Sequence, residues 1–299
     1  MISPRSRRIL RRFVGHWPGM ASAVVLALLC LTALFAPQIL TILGLDPFAT
    51  DLFLLKAPPG PGHPLGTDEA GRDVLARLIL ASRASLTVGL TTALAASAIG
   101  TLIGLWAGYF GGRVDSILMR LTDGAIALPL LPLLIVLSAI DYAKVGLDGL
   151  NEGSGLARMV LILSLFAWTT VARLVRAETM SLKTRDFVVA ATALGATPGR
   201  VLRRHILPNV LGAVIVATTL AIGNVILLES VLSFLGLGLS PPTPSWGGML
   251  TNAQNTLWDR PELALWPGLA IFLTVIAFNF LGDGLRNALA ARENPAAGR

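Results

Sequence analysis

The sequence predicts an all-α polytopic membrane protein with six transmembrane helices. Charge is scarce: 14% of the 299 residues are charged and 54% are hydrophobic, whereas a soluble domain has about 25% charged residues. Apolar runs centre on residues 20–42, 84–110, 117–140, 157–178, 208–234 and 263–282. At about 1.5 Å per helical residue, each can cross a hydrocarbon core of about 30 Å. The runs are continuous rather than alternating, which argues against barrel strands.

The elements follow in order. Residues 1–62 hold a basic start, the first span and the beginning of an external loop; residues 63–299 hold a core of five further spans. The N-terminus has the basic, apolar and small-residue zones of a signal peptide, but its apolar centre, Met20 to Ala36, is long for one. It is read as an uncleaved first span. In the second span, "IGTLIGLWAGYF" repeats Gly100, Gly104 and Gly108 every fourth residue, so one face lets a neighbouring backbone approach closely. In the third, Pro129 and Pro132 each remove a backbone donor and predict a bend. Residues 139–158 read as a polar external loop. The fifth span carries Asn224, Glu229, Ser230 and Ser233, candidates for a pathway or gate. A carboxylate within a span is a functional candidate by default, the alternative being a satisfied interhelical contact or an interfacial position.

Orientation follows from base. Alternate loops hold 17 of the Lys and Arg residues on one side and 7 on the other. The rich side has Arg5, Arg7, Arg8, Arg11 and Arg12 at the start and seven basic residues from Arg173 to Arg204 in the fourth loop. Both termini and that loop are therefore expected in the cytoplasm.

Reaction chemistry is sparse. His16, His63 and His205 are too scattered for a zinc-protease motif, and no Gly-x-Ser-x-Gly elbow or Gly-Lys-Ser/Thr phosphate loop occurs. Cys30 is the single cysteine, which excludes an intrachain disulfide. No metal, bound cofactor or catalytic role is expected, and ATP-driven work would need another chain. The net charge of +7 lies in clusters beside apolar runs without interleaved aromatics. That pattern suits membrane lipid rather than nucleic acid.

The fourth loop, about 181–208, is the polar exception. Asp186 (or Thr184) can cap a helix carrying Phe187, Ala190, Ala191 and Leu194 on one face. Gly195 is a natural stop, and Thr197-Pro198 restarts the chain as N-cap and first helical residue. Arg200 to Leu207, including Arg203, predicts a second short helix, with Pro208 opening the fifth span. A small helix should lie across the cytoplasmic end, its Ala-rich face open to a partner; an amphipathic helix on the lipid surface is the alternative.

This loop resembles the "EAA" loop of ABC-importer permeases, with Val189-Ala190-Ala191, then Gly195, then Leu207-Pro208. Three more segments resemble the second permease subunit of dipeptide, oligopeptide and nickel importers. They are "HPLGTDEAGRDVLARLILASRASLTVGL" from His63, "SFLGLGLSPPTPSWGGML" from Ser233 and "NFLGDGLRNAL" from Asn279. The resemblance implies a place in a bacterial inner membrane, a heterodimer with a homologous permease, two cytoplasmic ATPase subunits holding ATP and Mg, and an external substrate-binding protein. It assigns coupling to Phe187 through Gly195, with Thr197, Pro198 and Arg203 to Pro208 supporting the bend. Gly66-Thr67-Asp68 and Gly71-Arg72-Asp73 are read as ordering the outer loop. Val189 stands where the family usually has Glu, so docking by shape rather than charge is expected. Short peptides are the expected substrate, with a nickel chelate or other small solute as alternatives. A self-sufficient secondary transporter or channel would need more intramembrane charge than Glu229 supplies.

Overall fold

The structure, a computed structural model, describes residues 12–140, 142–146, 155–251 and 253–290. Most of the basic N-terminal segment, the last nine residues and much of the predicted 139–158 loop lie outside these. The helices are α1 (Trp17–Leu34), α2 (Ala36–Leu43), α3 (Val74–Phe110), α4 (Gly112–Ala127), α5 (Leu130–Ala139), α6 (Leu156–Lys183), α7 (Asp186–Ala193), α8 (Pro198–Val201), α9 (Leu207–Phe234), α10 (Ala253–Thr256) and α11 (Glu262–Ala290). Five stretches are long and apolar enough to cross a membrane, with α8 to α9 counted as one; the bent pair α4 and α5 makes a sixth.

Prolines decide where spans break. Pro37, second in α2, has no N–H for the carbonyl of Ala33, and the first span divides at Phe35. Between α4 and α5 the helix axis bends by 83°. Leu128 is extended, at ψ 139°, as a residue before proline prefers, and Pro129 becomes the N-cap of α5. Pro132 causes no bend. It sits in the first turn of α5, where N–H groups lack helical acceptors anyway.

The closest helix pair is α3 with α6. A Cβ on Gly100 would lie 2.6 Å from the carbonyl oxygen of Trp168. At Gly104 and Gly108 it would lie 2.6 and 2.7 Å from those of Ala172 and Arg176. The four-residue step on α3 thus matches four-residue steps on α6, and any side chain would wedge the backbones apart. Two ion pairs fasten α4 to α6: Arg176 grips Asp115 through two hydrogen bonds of 2.5 and 2.6 Å, and Arg173 meets Asp123 at 2.5 Å. These arginines lie within α6 rather than in the loop where their charge was counted, because α6 runs helically to Lys183.

Three apolar clusters fill the bundle. One joins α1, α3, α9 and α11 around Leu26, Leu86, Ile226, Phe278 and Trp246. A second joins α3, α5, α6 and α9 around Val88, Leu134, Met159 and Val225. The third lies at the α7 end.

The loop before α3 is knotted by carboxylates. Asp68 accepts from the backbone of Ala70 and Arg72 and from the guanidinium of Arg72, while Arg77 lies 3.3 Å away. Asp73 caps α3 through the N–H of Ala76 at 2.7 Å and holds Nδ1 of His63 at 2.9 Å. Thr67 donates to Leu54 and accepts from Ala57. The Gly-Thr-Asp and Gly-Arg-Asp segments are thereby committed to holding the loop together.

Candidate functional site: a docking helix and a lined cavity

The cap of helix α7 falls between the two predicted caps, Thr184 and Asp186. Arg185 is the N-cap, Asp186 is the first helical residue, and Thr184 turns its hydroxyl to the carbonyl of Ser181. Asp186 still places negative charge where the helix dipole favours it. The helix ends as expected: Gly195 has φ 82°, and the N–H groups of Gly195 and Ala196 reach the carbonyls of Thr192 and Ala191. That paired pattern closes the end of a helix only when a left-handed residue follows it, which glycine permits without strain. Thr197 is the N-cap of α8 and Pro198 its first residue, although the threonine hydroxyl makes no capping bond.

The second short helix is not separate from the fifth span. From Pro198 the chain runs helically to Phe234, with a π turn at Leu202–Ile206 containing Arg203. Pro208 explains the turn. Its ring crowds the carbonyl four residues back and it offers no N–H, and widening the helix relieves both. Leu207 donates to Leu202 across the widened turn, and the Asn209 amide donates to the carbonyl of His205 at 2.6 Å. Leu-Pro-Asn therefore reads as a π turn with its own side-chain patch.

One side chain anchors α7. Val188 is buried against Leu105 of α3, Val171 and Val175 of α6, and Val201, Ile206 and Val210. Phe187, Val189, Ala190 and Leu194 are exposed and Ala191 is half-buried. The expected face is thus open, while the inward residue, Val188, was not singled out from sequence. Every residue from Phe187 to Ala191 is apolar, so no polar stripe marks which side packs. Around the helix Arg185, Arg200, Arg203 and Arg204 are exposed.

A cavity of about 790 Å³ opens among α5, α6, α9 and α11. Toward the α7 end of the bundle its wall carries Glu178, Asn209 and Arg286; farther in it is mostly apolar, ending at Leu134, Leu163, Val225 and Leu228. Asn224 is a polar side chain on this inner wall, and Thr169 and Thr170 lie between.

Of the four pathway candidates, only Asn224 lines the cavity. Glu229, Ser230 and Ser233 are buried in a different contact. Ser233 donates to Glu229 Oε1 at 2.7 Å, Ser85 of α3 to Oε2 at 3.3 Å, and Ser230 lies 3.5 Å from Oε2. The N–H of Trp246 then donates to Ser85, and its indole to the carbonyl of Leu78. A Cβ on Gly247 would lie 2.4 Å from Cα of Ser230, so the Pro-rich loop after α9 is pressed against that helix. Glu229 ties three segments together, which is the satisfied contact named as the alternative to a gate. Its partner Ser85, and the Trp246 N–H that meets Ser85 in turn, are too distant in sequence for any pattern to reveal. Among the described residues, no group of three or more His, Cys, Asp or Glu side chains could hold a metal ion.

Comparison with known proteins adds the family. Residues 100–294 match the binding-protein-dependent transport system inner membrane component, and residues 4–59 match the N-terminal transmembrane domain of oligopeptide transport permease C. A glutathione transport system permease protein of Pectobacterium atrosepticum is 38% identical over 283 residues, 95% of this chain and 90% of that protein. Proteins of the same name from Escherichia coli O6:K15:H31 and Shigella dysenteriae serotype 1 are 39% and 40% identical over 279 residues, 93% of this chain and 88% of each. The chain is a transport subunit rather than an enzyme, and it belongs to the family of inner-membrane permease components of binding-protein-dependent transport systems.

Proposed function

We propose that this permease subunit supplies half of a pathway for short peptides and couples it to cytoplasmic ATPase subunits through α7. Its partners are a homologous permease in a heterodimer, two ATPase subunits carrying ATP and Mg, and an external binding protein. The charge bias supports a cytoplasmic position for both termini and α7. The observation that carries the reading is the mounting of α7. Val188 seats it on the ends of α3 and α6 while Phe187, Val189 and Leu194 stay free for an ATPase groove. A push on the helix is then delivered to α6, which also forms a cavity wall.

The substrate reading draws on the relatives. They are named for glutathione, a tripeptide, which supports short peptides over a nickel chelate. Asn224 offers both a donor and an acceptor to a passing amide. Reconstitution with the ATPase and binding-protein partners, followed by uptake of labelled di- and tripeptides and of nickel, tests the assignment. Uptake driven by an ion gradient without ATPase subunits would overturn it.

The coupling role has its own test. Gly195→Pro removes both the left-handed residue and its N–H, so uptake should fall at least tenfold while ATP hydrolysis continues. A fully coupled Gly195→Pro variant would refute the docking role.

A further inference from the structure

The loop after α2 carries an apolar tip that the transport reading leaves unused. Phe53 is 98% exposed and Leu52 76%, with Phe48 beside them. They are not loose: Asp46 accepts from the N–H of Phe48 and Asp51 from that of Phe53, both at 2.8 Å, and the Thr67 hydroxyl holds the carbonyl of Leu54. A second apolar tip, Leu257 and Trp258, projects from the loop before α11, and Trp258 is 92% exposed. One small pocket is lined by Asp68 and Arg72 from the first loop and by Thr256 and Leu263 at the two ends of the second, so the two tips belong to one end of the bundle.

We infer that these two tips are interfacial anchors, seated among phospholipid headgroups and the upper acyl chains, rather than a docking surface for a soluble protein. Length supports that depth. The 18 residues of α1 span roughly 27 Å, close to a hydrocarbon core of about 30 Å. The 8 residues of α2 add up to about 12 Å, so the first span can reach through the headgroup layer of a membrane about 40–45 Å thick, with exposed Trp17 at its start. At its far end Gly44 closes α2 in the left-handed conformation, and the Phe48–Leu55 stretch follows. Continuity supports the occupant. Leu28, Leu31 and Leu34 form an exposed apolar face on α1, and Ile42 and Leu43 extend it to within five residues of Phe48. Aromatic side chains at the ends of spans prefer the headgroup layer, where rings meet both polar and apolar surroundings.

Nitroxide labels test this in the full-length chain reconstituted into phosphatidylethanolamine and phosphatidylglycerol vesicles. Labels at Phe53→Cys, Leu52→Cys and Trp258→Cys would be made in a Cys30→Ser background. The ratio of relaxation by oxygen to that by a water-soluble nickel chelate should fall between that of a mid-span Leu28→Cys reference and that of Pro61→Cys, in the exposed part of the loop, where nickel dominates. Dominant nickel relaxation at positions 52 and 53 would overturn the anchor, as would protection from both reagents, which would indicate a protein cover.

Discussion

At the scale of a residue, close approach and exposure give opposite outcomes for similar substitutions. Gly104→Leu must displace the backbone of Ala172, for which there is no low-energy rotamer solution. It should destabilise the protein by about 1–3 kcal/mol or more, read as a lowered midpoint of thermal unfolding in detergent. Gly124→Ala in α4 meets nothing within 4 Å and should be neutral or slightly stabilising, because alanine favours helix by about 1 kcal/mol. Neighbours on α7 should diverge in the same way. Val188→Asp buries a charge among Val175, Val201 and Ile206 and should abolish uptake. Val189→Glu restores a carboxylate on the exposed face and should leave uptake largely intact, since an exposed pair is worth about 0–1 kcal/mol.

At the scale of an element, the two ion pairs between α4 and α6 should differ in strength. Asp115 is largely shielded and held by two hydrogen bonds, whereas Arg173 and Asp123 are each about half-exposed. Double-mutant cycles to alanine should give about 1–2 kcal/mol of coupling for Asp115 with Arg176, and less than about 1 for Arg173 with Asp123. Equal couplings would mean that the second hydrogen bond adds nothing. Neither pair was legible in the sequence, because the second loop was read for its arginines and the third span for its apolar content, and neither Asp115 nor Asp123 was singled out. What was legible followed from local rules. Hydropathy located the spans, the glycine step anticipated a close approach, and Gly195 marked the end of α7. What was missed depended on the third dimension: Val188 facing inward from an all-apolar turn, the serines around Glu229, and a π turn where Pro208 had suggested a boundary.

At the scale of the molecule, the cavity faces the same end as α7, so the proposed docking helix and the proposed path share helices α6 and α9. Ala213→Trp on the cavity wall should cut peptide uptake at least tenfold while leaving partner assembly and basal ATP hydrolysis intact. Asn224→Leu should have a smaller effect that varies with the peptide, because it removes a hydrogen-bonding group without closing the space. Uptake assays with peptides of two lengths separate the two outcomes.

The glycine face of α3 also bears on mechanics. Two helices in backbone contact over three successive steps have no flexible side chains between them to absorb sliding. On the proposed coupling they should move as a single stiff girder, so that displacement at the foot of α6 would reappear along α3. Compliance has to lie elsewhere, and the 83° break at Leu128–Pro129 is the place where backbone continuity is already interrupted. On the proposed coupling, the third span would be the joint of the machine and the glycine-zipped pair its beam.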